Sequence, residues 1–293
     1  MTLDDRQVTL TNLDRVLWPR TGFTKGAMID YYARVASALL PHIRDRALTL
    51  GRFPAGVDER GFAQTECRGR PEWMTTHPVR LRDGRVRHFC VVDDRPSLLW
   101  VANQAAIELH PFLARIGRHE EPTHVMLDLD PGPGTGMLDC CRVALRVREV
   151  LSEVGLEAFV KTSGSLGLHV HVPLNTPHGY RQTKPFAREI AGRLAAEDRE
   201  NVTDRTPIAL RAGRVLVDWL GNEASRSMVA PYSLRAADHP TVSTPLCWDE
   251  VEAALRAGAP EQLTFTALDL PARLDAAGDP LARALELRQR LPL

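Results

Sequence analysis

The chain has 293 residues, with 37 basic and 37 acidic side chains for a formal charge of zero, and it is 44% hydrophobic and 25% charged. That composition argues against a disordered, collagen-like or disulfide-scaffold class, and the length fits one large domain or two small ones. No apolar run approaches the roughly 18 residues of a membrane span, and Met1-Thr-Leu-Asp-Asp lacks the basic-then-apolar pattern of a secretory signal. A soluble cytoplasmic protein without a membrane partner is expected. Cys67, Cys90, Cys140, Cys141 and Cys247 show no Cys-x-x-Cys spacing, which argues against both zinc and disulfides.

At face value, neutrality also speaks against nucleic acid. Two details oppose it. All the basic residues except Lys25, Lys161 and Lys184 are arginine, whose planar fork grips phosphate bidentately; a high-GC genome gives the same bias without functional meaning. The charge is also uneven. Residues 60–88 carry a net +4, and the tail from Ala236 a net −4.

Along the chain, Met28, Tyr31, Tyr32, Val35, Leu39 and Leu40 fall at helical spacing and predict a helix from about Lys25 to Ile43. A short strand follows around Leu48–Phe53. Residues 79–92 alternate around Asp83-Gly84, which reads as a type I′ hairpin with Arg80, Arg82, Arg85 and Arg87 on its outward face. A charged edge that discourages aggregation is the plain reading of those arginines. Leu98–Leu113 reads as a helix. From position 123 the order is strand, helix, strand, strand, helix, strand, and a short helix runs from Asp249 to Arg256. The fold class expected is α/β, an α+β mixed sheet flanked by helices.

Asp128 and Asp130 end an apolar strand, two residues apart, so both carboxylates share one face. Like charges that close need a cation or a proton, and carboxylate oxygens suit Mg²⁺ or Mn²⁺. Alone, the pair also reads as a strand end entering a Pro-Gly turn. Asp218, inside Val215-Leu-Val-Asp-Trp-Leu, adds a third acid that is costly to bury unless paired or metal-bound. Three such carboxylates suit a two-metal site for phosphoryl transfer; a salt bridge from Asp218 to Arg211 or Arg214 is the structural alternative. Between them, Ser163, Gly164, Ser165 and Gly167 form a turn whose backbone N–H groups are suited to an anion. His169 and His171 alternate onto one face of the strand that follows, with His169 toward the turn.

Asp128-Leu-Asp130, Ser163-Gly-Ser-Leu-Gly-Leu-His169 and Val217-Asp218 resemble the three motifs of the archaeo-eukaryotic primase superfamily. More closely, the chain resembles the polymerase domain of bacterial ligase D, the primase-like enzyme of non-homologous end joining. Supporting blocks include Thr11-Asn-Leu-Asp-Arg-Val-Leu-Trp-Pro, Arg52-Phe-Pro-Ala-Gly-Val-Asp, Glu108-Leu-His-Pro and Val229-Ala-Pro-Tyr-Ser-Leu-Arg235. The resemblance covers nearly the whole chain and implies one primase-like domain. Its 5′-phosphate-binding part would run to about 120 and its catalytic core over about 121–235, with a C-terminal extension over 236–293.

The resemblance implies that Asp128, Asp130 and Asp218 hold two divalent ions, Mn²⁺ or Mg²⁺. It assigns Ser163, Gly164, His169, Arg211, Ser227 and Arg235, with His110, to an incoming nucleoside triphosphate. Arg15 and Lys25 match positions that grip the 5′-phosphate of a gapped or broken DNA end, and the Arg80–Arg87 hairpin matches a loop for end synapsis. A nucleoid-associated, stand-alone repair polymerase is implied, adding nucleotides, ribonucleotides in preference, with a Ku-like protein and a separate ATP-dependent DNA ligase as partners. Four positions depart from the family: Leu166 and Gly51 replace phosphate-binding lysines, and Ala63 and Thr65 interrupt a Phe-Phe-Gln-Lys pattern. An end-binding module with weak or no polymerase activity is the alternative these departures raise.

Overall fold

The computed structural model describes residues 2–81 and 83–292. They form two compact units, one of Met1–Gly117, Ser227–Ser243 and Phe265–Asp279, the other of Arg118–Arg226, Thr244–Thr264 and Pro280–Leu293. The C-terminal stretch thus divides between the two.

In the first unit, helix α1 spans Lys25–Ile43, as its periodicity predicts. Thr24 caps it, its Oγ1 accepting from the Ala27 N–H at 3.1 Å. Met28, Tyr32, Val35 and Leu39 are fully buried on one face, each contributing about 1.5–3 kcal/mol by burial. Helix α2 spans Arg95–Asn103, opened by a reciprocal Asp94–Ser97 capping box with Pro96 in its first turn.

The helix expected over Leu98–Leu113 therefore ends early. Ala105 adopts φ +57°, and Ala106–Pro111 becomes a strand. The alternation of Ile107 and Leu109 with Glu108 and His110 is a period-two signal, and pairing with the strand Ala47–Arg52 decides in its favour. Phe62–Gln64 and Val86–Val91 also pair with Ala47–Arg52, and Thr76–Arg80 pairs with Val86–Val91, completing a five-stranded antiparallel sheet.

The hairpin exists, but its loop is not the two-residue turn that Asp-Gly predicts. Leu81 donates to the Arg85 carbonyl at 2.8 Å and Gly84 to the Leu81 carbonyl at 2.9 Å, with Gly84 at φ +79°. That extra loop residue shifts the register, so Arg80 opposes Val86 and Arg87 opposes Val79. A one-residue shift reverses the faces of one arm. Arg80 and Arg87 consequently lie on opposite faces, not on one outward face. Arg85 pairs with Asp83 and Arg87 reaches Thr65 Oγ1; Arg82 lies outside the described residues.

A second correction concerns cysteine. Cys67 and Cys90 form a disulfide. The Cys67 N–H bonds the His88 carbonyl at 2.7 Å, which sets Cys67 beside the Val86–Val91 strand with its Cα 5.0 Å from that of Cys90, within bridging reach. The contact joins strand and loop across 23 residues, so local spacing does not reveal it.

The second unit is a six-stranded mixed sheet in the order Val202–Thr203, Val215–Asp218, His124–Pro131, Leu168–Pro173, Phe159–Thr162, Pro245–Leu246. Only the first pair is parallel. Helices α3 (Met137–Glu153) and α4 (Tyr180–Glu197) pack on its central strands. Val125, Leu127, Leu129, Val170, Val172 and Val217 are wholly buried, leaving the alternate positions for polar chemistry. Among the described residues no helix is long and apolar enough to cross a membrane.

Candidate active site

The polar face of the second unit's sheet carries the predicted acids. Asp128 stands directly opposite Asp218 on one side and His169 on the other, and His169 stands opposite Lys161. Directly opposed residues share a face. A row Lys161–His169–Asp128–Asp218 therefore runs across four adjacent strands, with Asp130 two residues along the same face. Burial pushes the Asp218 carboxyl up, and the charge of Asp128 adds to that rise against the opposing Leu220 N–H and Arg211.

His169, expected to face the glycine turn, places Nε2 3.2 Å from Asp128 Oδ1. Arg211 pairs with Asp130, at 3.7 Å, and not with Asp218. Its Nε is buried without a hydrogen-bond partner among the described residues, an unmet donor suited to an anion. An open cleft of about 640 Å³ is lined by Pro131, Met137, Ser165, Leu166, Ile208 and Arg211, among others.

The glycine turn differs from the open anion cradle the sequence predicts. Ser163 donates its N–H to the Gly167 carbonyl at 2.8 Å, and Ser163 Oγ accepts from Ser165 and Gly167, each at 3.1 Å. Three of its amides are thus spent inside the turn. Gly164 sits at φ +72°, and a Cβ on Gly167 would meet the Leu129 carbonyl oxygen at 2.0 Å, so both positions require glycine.

Three carboxylates offering hard oxygen donors, two of them opposed and partly buried, fit divalent Mn²⁺ or Mg²⁺. Their side chains are not drawn into a ligand set: no group of three or more His, Cys, Asp or Glu among the described residues is placed to hold a metal. Asp128 instead faces His169 and Asp130 faces Arg211.

The remaining predicted residues lie in the first unit. His110 Nε2 and Glu108 Oε2 are 2.9 Å apart, and Arg235 Nε donates to Glu108 Oε1 at 3.0 Å. Ser227 bridges to Phe112 in an isolated antiparallel pair. Arg15 donates to the Pro54 carbonyl at 2.6 Å, and its own carbonyl accepts the Lys25 N–H at 2.8 Å. Lys25 opens α1 and donates Nζ to the Thr11 carbonyl at 2.6 Å. Burial, then the charges of Arg15 and Arg52, push the Lys25 ammonium down. Two cations at a helix N-terminus make a setting for an anion.

Residues 24–281 match the family model of the LigD primase-polymerase domain. The chain belongs to that family. It is 40% identical to the multifunctional non-homologous end joining DNA repair protein LigD of Mycobacterium tuberculosis H37Rv, over 98% of this chain and 39% of that protein. It is 38% identical to LigD of Mycolicibacterium smegmatis, over 94% of this chain and 36% of that protein. The chain thus spans about two fifths of the length of these relatives. The solved polymerase domain of Mycobacterium tuberculosis ligase D in complex with DNA superposes with a TM-score of 0.89 at 37% identity, covering 97% of this chain and 99% of that one. The mixed α/β fold and the primase-polymerase class expected from the motifs are those of the family.

Two further residues belong to these clusters. Glu108 falls in the segment whose apolar content predicts a helix, and its i, i+2 spacing to His110 is the only local signal of their pairing. Lys161 is wholly buried opposite His169, and only strand register reveals its place in the row.

Proposed function

We propose that this chain is a DNA-directed nucleotidyltransferase that adds nucleotides, ribonucleotides in preference, to DNA 3′ ends or short gaps at double-strand breaks. The observation that carries the reading is the cross-sheet row ending in the opposed Asp128 and Asp218, with Asp130 beside them, in a chain of the primase-polymerase family.

In this reading Asp128, Asp130 and Asp218 hold the divalent ions. When bound, such ions neutralise charge on the reacting phosphate and hydroxyl. Arg211, with its unmet Nε donor, and Ser163 and His169 orient the triphosphate in the second unit. The resemblance also assigns His110, Ser227 and Arg235, all of the first unit, to the nucleotide. Arg15 and Lys25 bind the 5′-phosphate of the downstream strand, and positioning supplies much of the rate. End bridging and sealing belong to a Ku-like protein and an ATP-dependent DNA ligase activity.

One observation favours the reading of an end-binding module with weak polymerase activity. Leu166 is 70% exposed at the turn, where the resemblance implies a phosphate-binding lysine and a leucine offers no charge. Primer extension on a gapped duplex with Mn²⁺, with and without a 5′-phosphate, separates the two. Incorporation stimulated by the phosphate supports the polymerase; intact DNA binding with no incorporation at millimolar nucleotide overturns it.

A further inference from the structure

Glu108 is opposed by Gly51 in the pairing of Ala106–Pro111 with Ala47–Arg52. Both of its carboxylate oxygens are engaged. Oε2 meets His110 Nε2 at 2.9 Å, and Oε1 accepts from Arg235 Nε and from the Ala236 N–H, each at 3.0 Å. The side chain is only 15% exposed. We infer that Glu108 is a positioning residue, which orients the His110 ring and the Arg235 guanidinium for the nucleotide, and that Gly51 is the position that leaves it room. The inference rests on the nucleotide-binding role proposed above for His110 and Arg235.

Three observations support it. A carboxylate oxygen 2.9 Å from His110 Nε2 holds the imidazole ring in one orientation. Burial raises the Glu108 carboxyl, but the His110 hydrogen bond and the Arg235 charge outweigh it and hold the group at about 2, so the acceptor is ionised at any working pH. The backbone carrying these side chains is pinned as well. Leu109 donates to Ser233 Oγ at 2.9 Å, Ala230 donates to the Leu109 carbonyl at 2.8 Å, and Leu234 donates to Tyr32 Oη at 3.1 Å.

The role of Gly51 follows from space. A Cβ there would lie 2.9 Å from Glu108 Cβ and 3.4 Å from Oε2, closer than carbon atoms pack, so any side chain at 51 displaces Glu108.

The test is steady-state gap filling by the full chain, with Glu108→Gln, Gly51→Ala and the double variant Glu108→Gln/His110→Gln. Glu108→Gln removes the charge and keeps the shape; Gly51→Ala keeps the charge and shifts the carboxylate. Both are expected to raise the nucleotide KM about 10- to 100-fold, the range of one or two charge-assisted contacts. The KM for DNA and kcat should change less than about threefold. Adding His110→Gln to Glu108→Gln should cost little more, because the two residues act as one unit. Glu108→Asp should recover part of the loss. A nucleotide KM within twofold of wild type in both single variants overturns the inference, as does an equal rise in the KM for nucleotide and for DNA. A wild-type chain that incorporates nothing overturns the underlying reading instead, which a wild-type control read first distinguishes.

Discussion

A lysine is expected to behave oppositely at Leu166 and at Gly51, the two positions where the resemblance implies one. Leu166 is 70% exposed, so Leu166→Lys sacrifices little burial and should move stability by no more than about 0.5 kcal/mol. A new ammonium–phosphate contact is worth about 1.5–3 kcal/mol when shielded, and exposure places it at the lower end. The nucleotide KM should fall about tenfold at low salt, and the gain should shrink as ionic strength rises. Gly51→Lys introduces its Cβ 2.9 Å from Glu108 Cβ. Overpacking of that kind costs about 1–3 kcal/mol and pulls Glu108 off His110 and Arg235, so the KM should not improve and the melting temperature should drop by a few degrees. Gap filling at graded nucleotide and salt, beside thermal melts, measures both. A Gly51→Lys variant that improves KM as much as Leu166→Lys without losing stability refutes the reasoning, and so does a Leu166→Lys variant with no low-salt gain.

Asp218→Asn removes one of two directly opposed carboxylates and should raise stability by up to about 1 kcal/mol while abolishing incorporation; a lower melting temperature would show that the charged form stabilises the fold. Glu108 is held at about 2 against an ordinary 4.5, so its contribution is complete above pH 4.5 and lost as pH falls toward 2. At about 1.4 kcal/mol per pKa unit that is roughly 3 kcal/mol, and acid melts of Glu108→Gln should lack this part of the slope. The Cys67–Cys90 bridge closes a 23-residue separation, for which chain entropy gives about 3 kcal/mol. Reductant should lower the melting temperature of the wild type and leave Cys67→Ser unmoved, and thiol titration of the unreduced, denatured chain should find three thiols, not five.

Elements whose signal is local were legible in the sequence. The helix Lys25–Ile43 follows from its apolar spacing, and the strand–helix–strand–strand order from 123 was readable because glycine or proline closely follows each of those runs. Asp128, Asp130 and Asp218 were recognisable because period two fixes which side chains share a face. What was missed depends on partners distant in sequence. Ala106–Pro111 is apolar enough for either structure, and only pairing with Ala47–Arg52 made it a strand. The arginine hairpin was found but its register was not, since one additional loop residue separates Arg80 from Arg87. The disulfide and the row through Lys161 likewise rest on contacts that no local spacing encodes.

Asp128 is the residue on which the central claim can be tested most directly, because it links His169 to Asp218 in the row. The measurement is single-nucleotide incorporation on a gapped, 5′-phosphorylated duplex over a Mn²⁺ titration, comparing wild type with Asp128→Ala and with DNA binding followed in parallel. Mn²⁺-dependent incorporation is expected from the wild type and none from Asp128→Ala at any Mn²⁺ concentration, with DNA affinity unchanged. Equal incorporation by both proteins, or none by the wild type despite intact DNA binding, would contradict it.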